Sequence, residues 1–268
     1  MAFDKAINDS SAWAAQSAPK IRTIGKKDGS VAVVPVGSIE QHGNHLPVST
    51  DTILVDAMAH GGAERVTDEM PILVTPPVWT GLSPHHMDFG GTITLSIETL
   101  LSLLGDIADS VLENDFDAVL FLNGHGGNMS VLGTAVTGIG QRFPDTQVLG
   151  LTYFQLAEQF IDEIRESDIG GMAHGGEFET SLLLYLQPDL VDMDQAEARS
   201  LDDPYDLRRK DLFEGGPLSV YRSFAEYSET GAIGEPGLAT AEKGAEIYDR
   251  LGDELETLLL AIHEHNRE

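Results

Sequence analysis

The chain of 268 residues contains no cysteine. That absence removes disulfide frameworks, thiolate metal sites and cysteine nucleophiles together, so any metal must be held by imidazole and carboxylate. Positive charge is also scarce: 16 Lys+Arg stand against 44 Asp+Glu, a formal net charge of -28. Such a chain repels phosphate polyanions, so neither nucleic acid nor an anionic membrane is an expected partner. No stretch approaches the roughly 18 uninterrupted apolar residues of a membrane helix, and the opening MAFDKAINDS has no apolar core like that of a signal peptide. A cytoplasmic protein is expected. The 41% hydrophobic content supports one compact domain over residues 1–268.

The run Val31-Ala-Val-Val-Pro-Val36 is apolar and β-branched and stops at Gly37-Ser38, which suits a strand buried on both faces. Helical periodicity starts near Ile53, with Thr50 and Asp51 as candidate caps and Gly61-Gly62 limiting or loosening the far end. Residues 71–75, 118–122 and 147–152 read as three further strands, and Ile97–Leu112 and the segment after Asn128 as helices. This alternation predicts an α/β fold with a mainly parallel sheet covered by helices on both faces. Glu177–Leu186 and Thr240 to about His263 read as two more helices, whereas 190–237 is irregular. Open parallel sheets place chemistry beyond the carboxyl ends of their strands.

The loop after the first strand reads Gly37-Ser-Ile-Glu40-Gln-His42-Gly-Asn-His45, followed by Asp51. Glu40 and His42 are two apart, so extended backbone projects both to one face, and Asp51 at a helix start can fold back toward them. The trio suits a hard or borderline divalent ion, although nine histidines in the chain also allow chance proximity. The third loop, Asn123-Gly-His125-Gly-Gly-Asn128, lacks the lysine and spacing of a phosphate-binding P-loop, so His125 is the better candidate for chemistry. In Met172-Ala-His174-Gly-Gly-Glu177-Phe-Glu179, the two acids could serve the positive end of the following helix. Beside a histidine they also supply a general acid or base and a metal ligand. Glu179 is expected as a ligand and His174 as catalytic.

Taken together, these motifs resemble the creatininase family of amidohydrolases over nearly the whole chain. GSIEQHGNHLPVSTDT, SPHHMDFGGTITL, NGHGGN, HGGEFETS and GAIGEPGLATAEKG occur in that family's order. The resemblance implies a three-layer α/β domain, a homo-oligomer that is often a hexamer, and two divalent ions per subunit (zinc, manganese or iron) with no organic cofactor. It assigns Glu40 and His125 to one ion and His42 to the other, with Asp51 bridging. Creatininase itself carries an aromatic residue and then a carboxylate after the histidine matching His125, where this chain has Gly126 and Gly127. Glu179 is the proposed replacement ligand, with Glu177 as the other option. Ser83 matches a substrate-contacting serine and His45 a histidine near the site. Gly126 and Gly127 open the substrate side, and His174 with Glu177 would handle protons. Gly170 stands where creatininase has a tryptophan over the small ring.

The implied activity is hydrolysis of an amide or formamide C–N bond in a small nitrogen-rich molecule. A formamidopyrimidine ribonucleotide of riboflavin and deazaflavin biosynthesis is the leading substrate, ahead of creatinine and of peptide-derived intermediates. The competing classes are a catalytically silent metal-binding relative and a nucleotide-phosphate binder using NGHGGN.

The acidic residues are spread along the chain, so their mutual repulsion is expected to relax only where the Debye length falls from about 10 Å at 0.1 M salt to about 3 Å at 1 M. Adaptation to a salt-rich cytoplasm is the favoured reading, and a merely acidic mesophilic protein is the alternative. The melting temperature should therefore rise between 0.1 M and 2 M KCl, and a flat profile in thermal denaturation would remove the favoured reading.

Overall fold

The computed structural model describes residues 10–200, 205–208 and 210–267. Four parallel strands, β1 (Val31–Val36), β2 (Ile72–Val74), β3 (Ala118–Asn123) and β4 (Gln147–Thr152), form one sheet in the order β2-β1-β3-β4. β1 is buried at every residue, as its unbroken apolar sequence requires between two covered faces. It even accommodates a proline in a central strand. β2 ends opposite Val33, and the Pro35 carbonyl turns beyond that end to accept the Val78 N–H at 2.9 Å, so the missing proline donor breaks no ladder bond.

Among the described residues, six α-helices cover the sheet: α1 (Ala18–Gly25), α2 (Thr50–Val66), α3 (Ile97–Leu112), α4 (Met129–Arg142), α5 (Glu177–Leu186) and α6 (Ala241–His265). One core packs α2, α5 and α6 on the sheet face that presents Val31, Val33, Leu120 and Leu122. The other packs α1, α3 and α4 on the face of Ala32, Val34, Val119 and Phe121. The result is the expected three-layer α/β arrangement. Of the two readings of Gly61-Gly62, the limit fails, because the helix runs through both to Val66. Those glycines are sites of close approach, since a Cβ at Gly61 would lie 2.3 Å from the Tyr248 hydroxyl and one at Gly62 3.1 Å from Leu255.

Sheet order positions the site. β1 and β3 are neighbours, while the connections leaving them run to opposite sides of the sheet, through α2 to β2 and through α4 to β4. The crevice at such a reversal is open at the strand carboxyl ends. Val36, Asn123 and Thr152 share one rung there, and Asn123 Nδ2 donates to Thr152 Oγ1 at 3.0 Å, so the loops after β1 and β3 leave side by side.

The α5–α6 contact supports the loop that enters α5. Its closest point is Gly244, where a Cβ would sit 1.9 Å from the Ser181 carbonyl oxygen. Alanine normally stabilises a helix by about 1 kcal/mol over glycine. Here Gly244→Ala should instead lower the melting temperature, because overpacking against backbone costs about 1–3 kcal/mol or more. Thermal denaturation of that single variant checks the sign.

Candidate metal centre

At the β1–β3 crevice, Glu40 and His42 come from the loop after β1, Asp51 from the first turn of α2, His125 from the loop after β3, and Glu179 from the first turn of α5. All five are at most 5% exposed. Glu40, Asp51 and His125 form one group of potential donors and His42, Asp51 and Glu179 another, with ligand atoms within 4.8 Å in each. Asp51 belongs to both. Its Oδ1 lies 3.2 Å from His42 Nε2 and its Oδ2 3.1 Å from His125 Nδ1. Glu179 Oε1 is 3.9 Å from His42 Nε2.

The donor set fits divalent cations. Asp51 Oδ2 is buried and in no hydrogen bond, despite its closeness to His125 Nδ1. Two such atoms, near but unaligned for a hydrogen bond, are suited to share a cation. Imidazole nitrogen and carboxylate oxygen without sulfur suit zinc, manganese or iron.

Outer contacts assign the ring nitrogens. His42 Nδ1 donates to the Glu40 backbone oxygen at 3.1 Å, which leaves Nε2 toward Asp51 and Glu179. His125 Nε2 lies 3.1 Å from both the Leu82 carbonyl and Ser83 Oγ, which leaves Nδ1 toward Asp51. His86 Nδ1 accepts from Gln41 Nε2 at 2.7 Å, and its Nε2 lies 3.3 Å from Glu40 Oε1. His174 Nε2 donates to the Gln41 carbonyl at 2.6 Å, so Nδ1, 3.6 Å from Glu40 Oε1, keeps its lone pair.

Electrostatics follow from this crowding. Burial alone would depress His42, but Asp51, Glu179 and Glu40 outweigh it and raise its pKa to about 10. His125 is raised well above the usual range against burial, by Glu40 and Asp51. Burial would likewise raise Glu40 and Asp51, yet the surrounding imidazoles hold both below the ordinary carboxylate range. For Glu179 burial prevails and lifts the carboxyl to about 7. Burial, then His42, pushes His174 well down, so it is neutral at pH 7.

The other expected site residues separate. Glu177 was expected among the proton-handling groups, but it accepts from Lys243 Nζ at 2.6 Å and from the backbone N–H of Glu166 and Ser167 at 3.1 and 3.0 Å. It belongs to none of the donor groups, because adjacent turns of the chain and α6 fully engage its carboxylate. His45 is buried behind the centre: its Nε2 lies 3.1 Å from the Gly175 carbonyl and from Thr180 Oγ1. The Gly175 N–H in turn holds Glu179 Oε2 at 2.6 Å, and the positive φ of 63° there suits only glycine comfortably. Ser83 is fully buried, 2.6 Å from Ser38 Oγ and beside His125. Gly126 faces open space, whereas a side chain at Gly127 would meet the Leu82 carbonyl at 2.3 Å and His125 Nε2 at 2.4 Å.

Three contributors escaped motif reading. Gln41 links His86, His174 and the Gly231 carbonyl, and its place between Glu40 and His42 was the available signal. His86, within the SPHHMDFGGTITL motif but given no role of its own there, touches Glu40. Phe224, from the irregular segment, lies on the rings of His85, His86 and His174 and had no sequence signal.

A family model described as "Creatininase: Creatinine amidohydrolase" matches residues 14–259. The chain is 32% identical to a mycofactocin precursor peptide peptidase of Mycobacterium ulcerans over 227 residues, 83% of this chain and 81% of that one. It is 29% identical to a 3-dehydro-scyllo-inosose hydrolase of Thermotoga maritima over 259 residues, 89% and 79% of the two chains. A solved manganese creatininase matches with a TM-score of 0.78 and 26% identity, covering 94% of this chain and 97% of that one. A zinc–zinc creatininase variant matches at 0.77 with the same identity and coverage.

The two acids at the head of α5 should respond differently to neutralisation. Glu179→Gln is expected to lower bound metal in elemental analysis with little loss of stability. Glu177→Gln should keep its metal but lose about 3 kcal/mol in denaturant unfolding, as for other broken buried ion pairs. Since the folded-state pKa of Glu177 is depressed, its contribution is present above the ordinary glutamate range and disappears as pH falls through the folded value.

Proposed function

The chain belongs to the creatininase family and is a hydrolase of carbon–nitrogen bonds, and from that premise we propose a two-ion amidohydrolase acting on a substrate larger than creatinine. The observation that carries this reading is Asp51, whose two oxygens face the imidazoles of two separate donor groups. Glu40 and His125 would complete one ligand set, and His42 and Glu179 the other. Ions held there would polarise a carbonyl and lower the pKa of a water from about 15.7 toward 7.

The protein's own groups would then do the positioning and move the proton. His86 and His125 fix Glu40 from two sides. His174, neutral and anchored through Nε2, presents Nδ1 to accept a proton from the attacking water and pass it to the departing nitrogen. Glu177, tied to Lys243, takes no part. The five donors in place argue against a silent relative.

On the substrate side, the exposed Gly126, where an added Cβ would meet nothing within 4 Å, leaves room that creatinine does not need. A ribosylated formamidopyrimidine uses that room and offers an unhindered formyl carbon, and it is the specific substrate we favour. A peptide amide is the second reading, favoured by the 32% identity to the precursor peptide peptidase.

Asp51→Ala should lose most of the bound metal and more than 99% of activity, because no neighbouring carboxylate can replace both contacts; loss of an outer-shell partner costs only about 10- to 100-fold. On one metal-loaded preparation, kcat/KM for the formamidopyrimidine ribonucleotide should exceed that for creatinine at least tenfold, with a short peptide amide as the third assay. A creatinine value equal to the formamide's would overturn the substrate assignment. Full metal content in Asp51→Ala would overturn the shared carboxylate.

A further inference from the structure

We propose that Phe224 is a substrate-stacking residue, so that the preferred substrate carries a planar unsaturated ring next to its scissile bond. This rests on the hydrolase reading above and deepens it by naming a substrate class. Phe224 lies in a short 3-10 turn, Phe224–Glu226, within the long irregular stretch before α6. Its ring centroid is 4.2 Å from that of His86, 5.1 Å from that of His174 and 5.2 Å from that of His85. Among the described residues it is the non-histidine aromatic ring in contact with these imidazoles, two of which touch Glu40.

The turn is held in place on both sides. Ser223 Oγ bonds Asp88, which belongs to the turn that carries His85 and His86. Further along, the Gly231 carbonyl accepts from Gln41 Nε2 at 3.0 Å, and a Cβ at Gly231 would fall 2.0 Å from Gln41 Oε1. The backbone φ of 88° at Gly231 also favours glycine. Gln41 therefore connects the segment that bears Phe224 to the loop that bears Glu40 and His42.

Phe224 is half-buried, and so are His85 and His174. Its ring stands nearly perpendicular to His174, at 86°, and oblique to His85 and His86, at 55° and 57°. The His174 and His85 contacts, at 5.1 and 5.2 Å, fall in the range of about 4.5–7 Å for favourable aromatic pairs, with His86 packed closer, and a planar ligand can add an offset-stacked partner. A flexible aliphatic amide gains nothing comparable from such a wall.

The test compares wild type, Phe224→Ala and Phe224→Trp, each matched for metal content and melting temperature. The substrates are a formamidopyrimidine riboside and N-formyl-alanine amide, a planar and an aliphatic formamide. In Phe224→Ala the ratio of kcat/KM for planar over aliphatic substrate should fall at least tenfold, mainly through KM, and Phe224→Trp should recover it. Equal losses on both substrates, or an unchanged ratio, would overturn the assignment. Calorimetric titration with 2,4-diaminopyrimidine is independent of turnover: its Kd should weaken at least tenfold in Phe224→Ala, and an unchanged Kd overturns the proposal. If wild type hydrolyses neither formamide while the Kd difference appears, the stacking role holds and the formamide activity fails.

Discussion

Three carboxylates buried side by side set the terms for everything around the β1–β3 crevice. Glu40, Asp51 and Glu179 are nearly inaccessible, and among the described residues no lysine or arginine forms an ion pair with them. Burying unpaired carboxylate is costly enough that such groups must be neutralised, protonated or matched by cations. Imidazoles alone provide part of the match, shown by the raised pKa of His42 and His125 and by a Glu179 carboxyl at about 7. The same donor atoms form a potential metal-binding cluster, and a cation there would complete the match. Local devices such as the Gly175 N–H on Glu179 and the Leu82 carbonyl on His125 aim donor atoms that only a metal uses in full.

This requirement explains why the sheet order matters. A central pair of parallel strands with diverging connections brings two loops to one rung without any long excursion of the chain. The helix start of α2 then brings Asp51 between them, and its two oxygens diverge toward imidazoles from the two loops. Gly124 permits the approach, since a Cβ there would lie 2.9 Å from the Asp51 backbone oxygen.

How much of this could be read from sequence depends on how local each signal was. The Glu40–His42 spacing, Asp51 at a helix start and His125 between glycines all lie at strand or helix ends, where the fold class itself fixes position. The buried run of β1 and the alternation of elements made that class legible. Gly61-Gly62 did not fix the helix end, because glycine within a helix can mark close packing as well as an end, and only the position of α6 decides between them. His45 had the residue type of a site group, yet its partners, Gly175 and Thr180, lie more than a hundred residues away. Phe224 sits where no periodicity exists, and its placement depends on long-range bonds through Asp88 and Gln41.

Glu177 and Glu179 show most directly how context assigns chemistry. They occupy the same first turn, both are buried, and the helix dipole favours both equally. Lys243 from α6 reaches Glu177, and that acid becomes a structural counter-ion with a depressed pKa. No ammonium reaches Glu179, which faces His42 with a raised pKa and is held by one backbone N–H. The difference arises from the approximately 100° rotation per residue of a helix, which turns positions two apart toward nearly opposite sides. Scarcity of basic side chains thus has a functional consequence: an acid that meets a lysine is committed to the fold, and one that does not remains available to bind a cation.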